Sequence, residues 1–359
     1  MLSIKAILLF IVLLSVIVIV HECGHLIVAK LFDVYCQEFS VGMGPKLFSV
    51  KGRETEYALR AIPFGGFVAM AGDTDNELET SVDTENIPKE RTLPGIAPWK
   101  RILVMIAGII MNILLATVIM SLVLLHIGQY SVSPEAYINT VSPNSPAEAA
   151  GLKDGDRILH AELENGTSIA PKTFMELSAF LDTYDGVGKI YLEVEREGET
   201  LNISVKPEYD QKEERYLMCI TSNPYTLVEV NWKNCLHYAI DHLSMMTSLL
   251  ISSLLNIFRG VGLKNLSGPI GVYTTTAQAV EMGALYYFQL MAMISLNVGI
   301  FNALPLPVLD GGRVLLTFIE MIIGRPIPEK VQNAIMSVSV VLVLLLFVFV
   351  TFQDVLKLF

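Results

Sequence analysis

The chain has 359 residues, of which 52% are hydrophobic and 17% charged, and its formal net charge is −11. This composition is too apolar for a soluble domain and too mixed for a chain lying wholly in a bilayer, so it predicts a membrane protein with a water-soluble insertion. The range Ile127 to Gly283 contains twenty acidic and eleven basic residues, and this excess of negative charge argues against nucleic acid as a partner.

The first apolar run, Ile4–Ala29, is long enough to cross a bilayer and contains the sequence His21-Glu22-Cys23-Gly24-His25. An ionisable residue at such depth costs about 2.5–3.5 kcal/mol, so a cluster of them indicates a functional site. Positions i and i+4 share a helix face, which lets His21 and His25 bind one metal ion with Glu22 beside it. A secretory signal is the alternative, but no small-x-small cleavage site follows and the apolar character continues past His25.

Three further uncharged runs predict spans at Ile102–Leu125, Gly283–Leu304 and Val331–Phe352. A fifth candidate, Leu243–Phe258, is shorter and rich in serine, and we expect it to lie along the membrane interface. Residues Lys30–Arg101 hold nine Lys or Arg, so the positive-inside rule places this loop in the cytoplasm and the later insertion outside.

The loop contains two β-prone apolar pieces, Phe39–Val50 and Glu56–Ala71. We expect hairpins associated with the membrane that line a protein-enclosed cavity, with Gly65, Gly66 and Phe67 as candidate substrate contacts. An extended substrate strand could add to their edge. A plain cytoplasmic sheet remains the alternative.

Within the insertion, Tyr137–Val205 predicts a compact α+β domain. The strand Ile138–Val141 leads into a helix capped by Ser145 and terminated by Gly151. Thr173–Tyr184 predicts an amphipathic helix, and the chain then predicts a strand pair, Ile190–Val194 and Thr200–Val205, turning at Glu197-Gly198.

The third span ends in Asn302 to Gly312, where Pro305 and Pro307 terminate the helix and a glycine pair loosens the backbone. An irregular segment at membrane depth must face protein or water. Asp310 can therefore meet His21 and His25 and complete a site of two histidines and one aspartate, with water as the fourth ligand. Only a four-span topology leaves Asp310 level with the histidines.

These motifs make the whole chain resemble the site-2 protease family of intramembrane zinc metalloproteases, in particular the bacterial branch with one PDZ domain. The matching elements are the His21 to His25 motif, the PDZ-like insertion, Leu266 to Gly271 and Asn302 to Gly311. Cys23 stands where the family more often has a bulky apolar residue, which touches neither ligand nor base.

The resemblance implies one Zn²⁺ per chain, held by His21, His25 and Asp310, with Glu22 as general base. It implies that Asn302 holds the substrate backbone and that Pro305 and Pro307 shape the site. For Asn302 a helix–helix hydrogen bond is the alternative. It also implies a peptide groove between Ile138–Val141 and Thr173–Tyr184 that works by strand addition, unless the domain is a steric spacer.

We therefore expect a multi-pass α-helical membrane protein with four transmembrane helices, membrane-associated β-hairpins and one extracytoplasmic α+β PDZ domain. The expected divisions are residues 1–30 (first span), 31–101 (cytoplasmic loop), 102–127 (second span), 128–210 (PDZ domain), 211–282 (interfacial linker and amphipathic helix), 283–330 (third span and broken segment) and 331–359 (fourth span and tail).

The expected activity is cleavage of single-span membrane proteins in the bacterial cytoplasmic membrane, such as anti-sigma factors or remnant signal peptides. A metal transporter using the same three ligands and a non-catalytic peptide-binding scaffold are the alternatives. Of the four cysteines, only Cys219 and Cys235 are candidates for a disulfide, and we expect free thiols.

Overall fold

The computed structural model describes residues 4–73, 87–211, 213, 215–258 and 268–356, so Leu266 and Ser267 of the motif quoted above lie outside it. The helices are α1 (Ile4–Leu31), α2 (Pro98–Ile127), α3 (Pro146–Ala150), α4 (Phe174–Leu181), α5 (Cys235–Phe258), α6 (Pro269–Met282), α7 (Ala284–Asn302), α8 (Asp310–Ile323) and α9 (Glu329–Leu356). The strands are β1 (Cys36–Lys51), β2 (Glu56–Met70), β3 (Gln129–Val132), β4 (Ile138–Val141), β5 (Arg157–Leu163), β6 (Ser168–Ile169), β7 (Ile190–Arg196), β8 (Glu199–Val205), β9 (Glu208–Asp210), β10 (Arg215–Leu217), β11 (Ile220–Ser222) and β12 (Thr226–Glu229).

Five helices in the described part of the chain are long and apolar enough to cross a membrane: Ile4–Leu31, Pro98–Ile127, Cys235–Leu255, Ala284–Asn302 and Lys330–Leu356. This confirms a multi-pass membrane protein. The four expected spans correspond to α1, α2, α7 and α9. The fifth candidate, in α5, has the lowest mean hydropathy of the five, 1.2. Length and composition alone do not decide between four and five crossings.

The chain forms two compact units, Met1–Val123 with Leu266–Phe359 (unit 1) and Leu124–Asn265 (unit 2). In unit 1, α1 packs tightly against α2, because a Cβ atom at Gly24 would lie 2.5 Å from the carbonyl oxygen of Ala107. The amino-terminal half of α1 packs against α7, where the Tyr287 hydroxyl donates to the Leu9 carbonyl oxygen over 2.9 Å. Small residues at helix contacts are the usual means of close approach in membranes.

The first two strands form a sheet of four segments rather than a simple hairpin. Residues 56–60 lie between residues 46–51 and 36–41, and residues 66–70 pair with the other side of 36–41. The long strands change direction at Gly42 and Gly65, whose φ angles of 84° and 80° favour glycine. The two predicted β-prone pieces are therefore confirmed.

A buried ionic cluster holds this sheet together. Glu38 is 1% exposed and accepts hydrogen bonds from Arg60 Nη2 over 2.8 Å and Arg60 Nε over 3.1 Å. Lys46 Nζ lies 2.7 Å from the other carboxylate oxygen, and Arg60 Nη1 also donates to the Gly44 carbonyl oxygen. Such a cluster constrains the sheet, because replacing Glu38 or Arg60 would break a buried ion pair between neighbouring segments.

Unit 2 has a four-stranded sheet in the order β6-β5-β7-β8 and a core that includes Ile138, Leu177 and Met218. The Ser145 side chain caps α3, and Gly151 ends that helix in the left-handed conformation. Thr173 caps α4. The predicted strand pair is confirmed as β7 and β8, and both cysteines of the candidate disulfide, Cys219 and Cys235, are free.

Two expectations for this unit were wrong. The edge of Ile138–Val141 cannot take an added peptide strand, because β11 pairs with it and its other side bonds to the turn before β5. The range 211–282 does not begin as a linker, because β11 returns to β4 and β12 returns to β3. Strands of three or four residues carry too little periodicity to be recognised in sequence.

We predict that Asp156→Ala destabilises unit 2 by about 3 kcal/mol. Asp156 is 0% exposed and accepts two hydrogen bonds of 2.7 Å from Arg196, which would lose its carboxylate partner. The measurement is proteolytic susceptibility of unit 2 in the full-length protein during a urea titration. Glu195→Ala is the control, since its exposed pair with Arg157 is 3.6 Å long and worth less than about 1 kcal/mol. Equal effects of the two changes would contradict the prediction.

Candidate metal centre

Helix α1 presents His21 and His25 on one face, as their spacing predicts. The Nε2 atoms of the two rings lie 3.2 Å apart, and both residues are buried. The rings meet edge to face at 84°. Both histidines therefore aim the same ring nitrogen at one point.

Helix α8 brings the carboxylate of Asp310 to this point. Its Oδ2 lies 3.1 Å from His21 Nε2 and 3.4 Å from His25 Nε2. The atom is buried and makes no hydrogen bond of acceptable geometry within the described residues. Three groups expected from sequence to share a site are thus brought together.

The segment before Asp310 differs from the sequence expectation. Only residues 303–309 are irregular, and Asp310 begins a helix of 14 residues, α8, with Leu309 as its N-cap. The glycine pair does not loosen the backbone. Cβ atoms at Gly311 and Gly312 would collide with the carbonyl oxygens of Ala303 and Leu306, so the glycines let the first turn of α8 pack against the preceding turn.

The donor set fits a tetrahedral divalent metal ion. Zinc bonds to imidazole nitrogen and carboxylate oxygen are about 2.0–2.2 Å long, so tetrahedral geometry separates the ligand atoms by about 3.4 Å. The three observed separations of 3.1, 3.2 and 3.4 Å agree with that value. Two neutral imidazoles and one carboxylate also match the ligands that zinc prefers.

The three donors border a cavity of about 370 Å³. Glu22 lines it beside the histidines, and so do Gly65, Gly66, Phe67 and Asn302. Pro305 and Pro307 are not among its lining residues, although Val308 and Leu309 are. Gly66 approaches Glu22 closely, because a Cβ atom there would lie 3.6 Å from Glu22 Cγ.

Sequence reasoning missed an ion pair at this cavity. Arg313 Nη2 donates to Asp73 Oδ1 over 2.8 Å, and both residues line the cavity. Arg313 lies three residues after Asp310 and so shares its helix face, a signal that would have been available had α8 been recognised as a helix. The pair links the segment after β2 to α8, the helix that carries Asp310.

Helix α2 supplies a second layer of contacts that sequence reasoning also missed. The Val104 carbonyl oxygen lies 2.8 Å from His25 Nδ1, and the side chain of Asn112 lies 3.2 Å from His21 Nδ1. Asn112 is a polar residue inside an uncharged span, and that fact alone was a usable signal.

Comparison with known proteins identifies the family of the chain. The family described as Peptidase family M50 matches residues 9–346. The regulator of sigma-W protease RasP of Bacillus subtilis is 31% identical over 422 residues, covering 98% of each chain. The zinc metalloprotease RasP of Shouchella clausii is 31% identical over 424 residues, again covering 98% of each. A relative from Clostridium perfringens is 36% identical over 347 residues, 95% of this chain and 96% of its own. The family match covers most of the chain, and the chain therefore belongs to Peptidase family M50, the site-2 protease family of zinc metalloproteases.

Proposed function

We propose that this zinc metalloprotease hydrolyses a peptide bond within or near the transmembrane segment of single-span membrane proteins, in the bacterial cytoplasmic membrane. The observation that carries the proposal is the cavity in which Glu22 lies beside the convergent donors of His21, His25 and Asp310. Two of these ligands belong to a helix long and apolar enough to cross the bilayer.

In this proposal His21, His25 and Asp310 hold the metal, and bound zinc supplies a water of lowered pKa and a Lewis acid for the scissile carbonyl. Glu22 accepts the proton of the attacking water as the new C–O bond forms. Glu22 then returns that proton to the departing amine nitrogen as the C–N bond breaks. The protein must also admit water, which the polar lining of the cavity favours.

We further propose that the substrate lies extended along Gly65, Gly66 and Phe67. A helical substrate hides its carbonyls in its own hydrogen bonds, so it must unwind before cleavage. Gly66 brings backbone without a side chain to the cavity next to Glu22. Asn302 lines the same cavity, and we propose its amide as a hydrogen-bond partner for the opened strand. Pro305 and Pro307 act indirectly, by ending α7 and setting the turn that leads to Asp310.

The contacts of unit 1 favour four crossings. Tyr287, near the start of α7, bonds to Leu9 of α1, while Asn302 at its end shares the cavity with His21, so α7 runs parallel to α1. The chain must then cross an even number of times between α2 and α7. Helix α6 has 14 residues and is about 21 Å long, too short to cross about 30 Å of hydrocarbon. A crossing by α5 would therefore have no return among the helices that the structure describes.

Unit 2 supports the assignment of a PDZ-type module through its order of strand, capped helix, strand, helix and strand pair. We propose that it stands outside the cytoplasm and restricts which substrates reach the cavity, with a peptide ligand or by steric exclusion. The sheet of β1 and β2 is proposed to rest in the bilayer surface, which its exposed Leu47, Phe48 and Tyr57 favour.

Glu22→Gln is predicted to keep zinc and to slow cleavage by at least about 10²–10⁴-fold, because the amide cannot accept the proton. The measurement is mass mapping of products from a single-span substrate incubated with detergent-purified protein, together with zinc content. Cleavage at the wild-type rate would remove Glu22 from the mechanism.

Asp310→Asn is predicted to weaken zinc binding by more than about 100-fold, since a charged ligand is lost. Losing a residue that only hydrogen-bonds to a ligand typically costs about 10- to 100-fold in metal affinity. Zinc content after dialysis against a graded chelator measures it. Glu22→Gln is the matched control, because it changes a neighbouring carboxylate that is not a ligand. Unchanged retention in Asp310→Asn would argue for a different third ligand.

Some substrates still carry the domain outside the cytoplasm that a first protease would remove, and we call these untrimmed. Excision of residues 133–225 is predicted to raise cleavage of untrimmed substrates while leaving cleavage of a short substrate intact. Val132 of β3 pairs directly with Thr226 of β12, so an Asn-Gly turn can close the two strands without disturbing them. Rates on full-length and trimmed forms of one substrate are compared before and after excision. An unchanged ratio would make this part of unit 2 a spacer.

A further inference from the structure

One face of α2 runs along both histidine rings. Val104, Gly108 and Asn112 are spaced by four residues and therefore lie on the same side of the helix. Val104 and Asn112 are both 0% exposed. The Val104 carbonyl oxygen, the Gly108 backbone and the Asn112 side-chain amide each lie against an imidazole ring.

Val104 determines which nitrogen of His25 carries a proton. Its carbonyl oxygen, 2.8 Å from His25 Nδ1, can only accept a hydrogen bond, so Nδ1 must donate. A neutral ring protonated at Nδ1 has its lone pair on Nε2, the atom that faces Asp310. The backbone thus prepares His25 as a metal ligand.

Asn112 occupies the equivalent place beside His21. Its amide nitrogen lies 3.2 Å from His21 Nδ1, and a half-turn of the amide exchanges nitrogen and oxygen without changing its shape. The exchange sacrifices no other hydrogen bond, because Asn112 Oδ1 makes none within the described residues. With the oxygen toward the ring, Nδ1 donates and the lone pair of Nε2 faces Asp310.

Gly108 makes these contacts possible. A Cβ atom at this position would lie 2.5 Å from His25 Nε2 and 2.7 Å from His21 Cε1, inside van der Waals contact. From the other side, Ser295 of α7 donates to the backbone carbonyl oxygen of Asn112 over 2.8 Å. Asn112 is thereby held between the ring and α7, with its amide facing His21.

We propose that Asn112 is a positioning residue that keeps His21 in the tautomer whose Nε2 binds zinc, as the side-chain counterpart of the Val104 carbonyl at His25. The proposal rests on the zinc site of the proposed function. Outer partners of this kind orient a ligand ring and raise its basicity, and losing one typically costs 10- to 100-fold in metal affinity.

The test compares Asn112→Leu, Asn112→Asp and Ser295→Ala in the full-length, detergent-purified protein. Zinc affinity is measured by competition with a chelator, and the absorption spectrum of the cobalt-substituted protein reports ligand geometry. We expect Asn112→Leu to lower affinity about 10- to 100-fold and to alter the cobalt spectrum. Asn112→Asp should stay close to wild type, because a carboxylate can accept from Nδ1 but cannot donate to it. Asn112→Ala replaces the leucine variant if the latter does not fold.

Ser295→Ala is the matched control, because it removes a buried hydrogen bond to the same residue without touching the ring. Equal losses in Asn112→Leu and Ser295→Ala would assign the effect to helix packing and overturn the proposal, as would wild-type affinity in Asn112→Leu. Loss of zinc in Asn112→Asp would also overturn it. His21→Ala distinguishes an error in the metal site from an error in the role of Asn112. If His21→Ala binds zinc like wild type, the proposed metal site is wrong. If His21→Ala loses zinc while Asn112→Leu binds it like wild type, only the role of Asn112 is refuted.

Discussion

The structure depends on the convergence of two imidazoles and one carboxylate at a point inside a bundle of apolar helices. Three acceptor atoms within 3.4 Å of one another need a shared cation or shared protons, because their lone pairs otherwise repel. The three side chains come from α1 and α8, which are separated by most of the chain. Every helix contact in unit 1 that fixes α1 relative to α8 therefore also fixes the distances among these three donor atoms.

Glycine residues allow the helices of unit 1 to pack at short backbone distances. Lipid tails offer helices no hydrophobic reason to associate, so short backbone distances and buried hydrogen bonds must stabilise the bundle. Gly24 and Gly108 let α1 and α2 touch, and Gly311 and Gly312 seat α8 on the turn before it. The same glycines that pack the bundle therefore bring Val104 and Asn112 to the rings and Asp310 to the two histidines.

Hydrolysis in a membrane requires a polar space that lipid cannot enter, and the cavity combines charged residues with bare strand backbone. Glu22, Asp310 and the Arg313–Asp73 pair give this space its polarity. Membership in a peptidase family argues against the two alternative functions, a metal transporter and a non-catalytic scaffold. The β3–β12 pair, which closes the two ends of the insertion, suits a module inserted between two spans without disturbing them.

Local patterns were sufficient for much of this protein. The sequence by itself determined four long apolar helices that could span a membrane, the shared face of His21 and His25, the capped helix after Ser145 and the turn at Glu197, because each depends on residues a few positions apart. It also singled out Asp310, through its place after a broken span. Only the tertiary structure decided the contacts of Asn112 and Val104 with the histidines, the start of α8 at Asp310 and the return of β11 to β4. The contacts of the histidines and of β11 join residues about eighty or more positions apart, so no local periodicity predicts them. The start of α8 depends on glycines that allow close backbone packing, and the sequence alone does not distinguish these from glycines that allow flexibility.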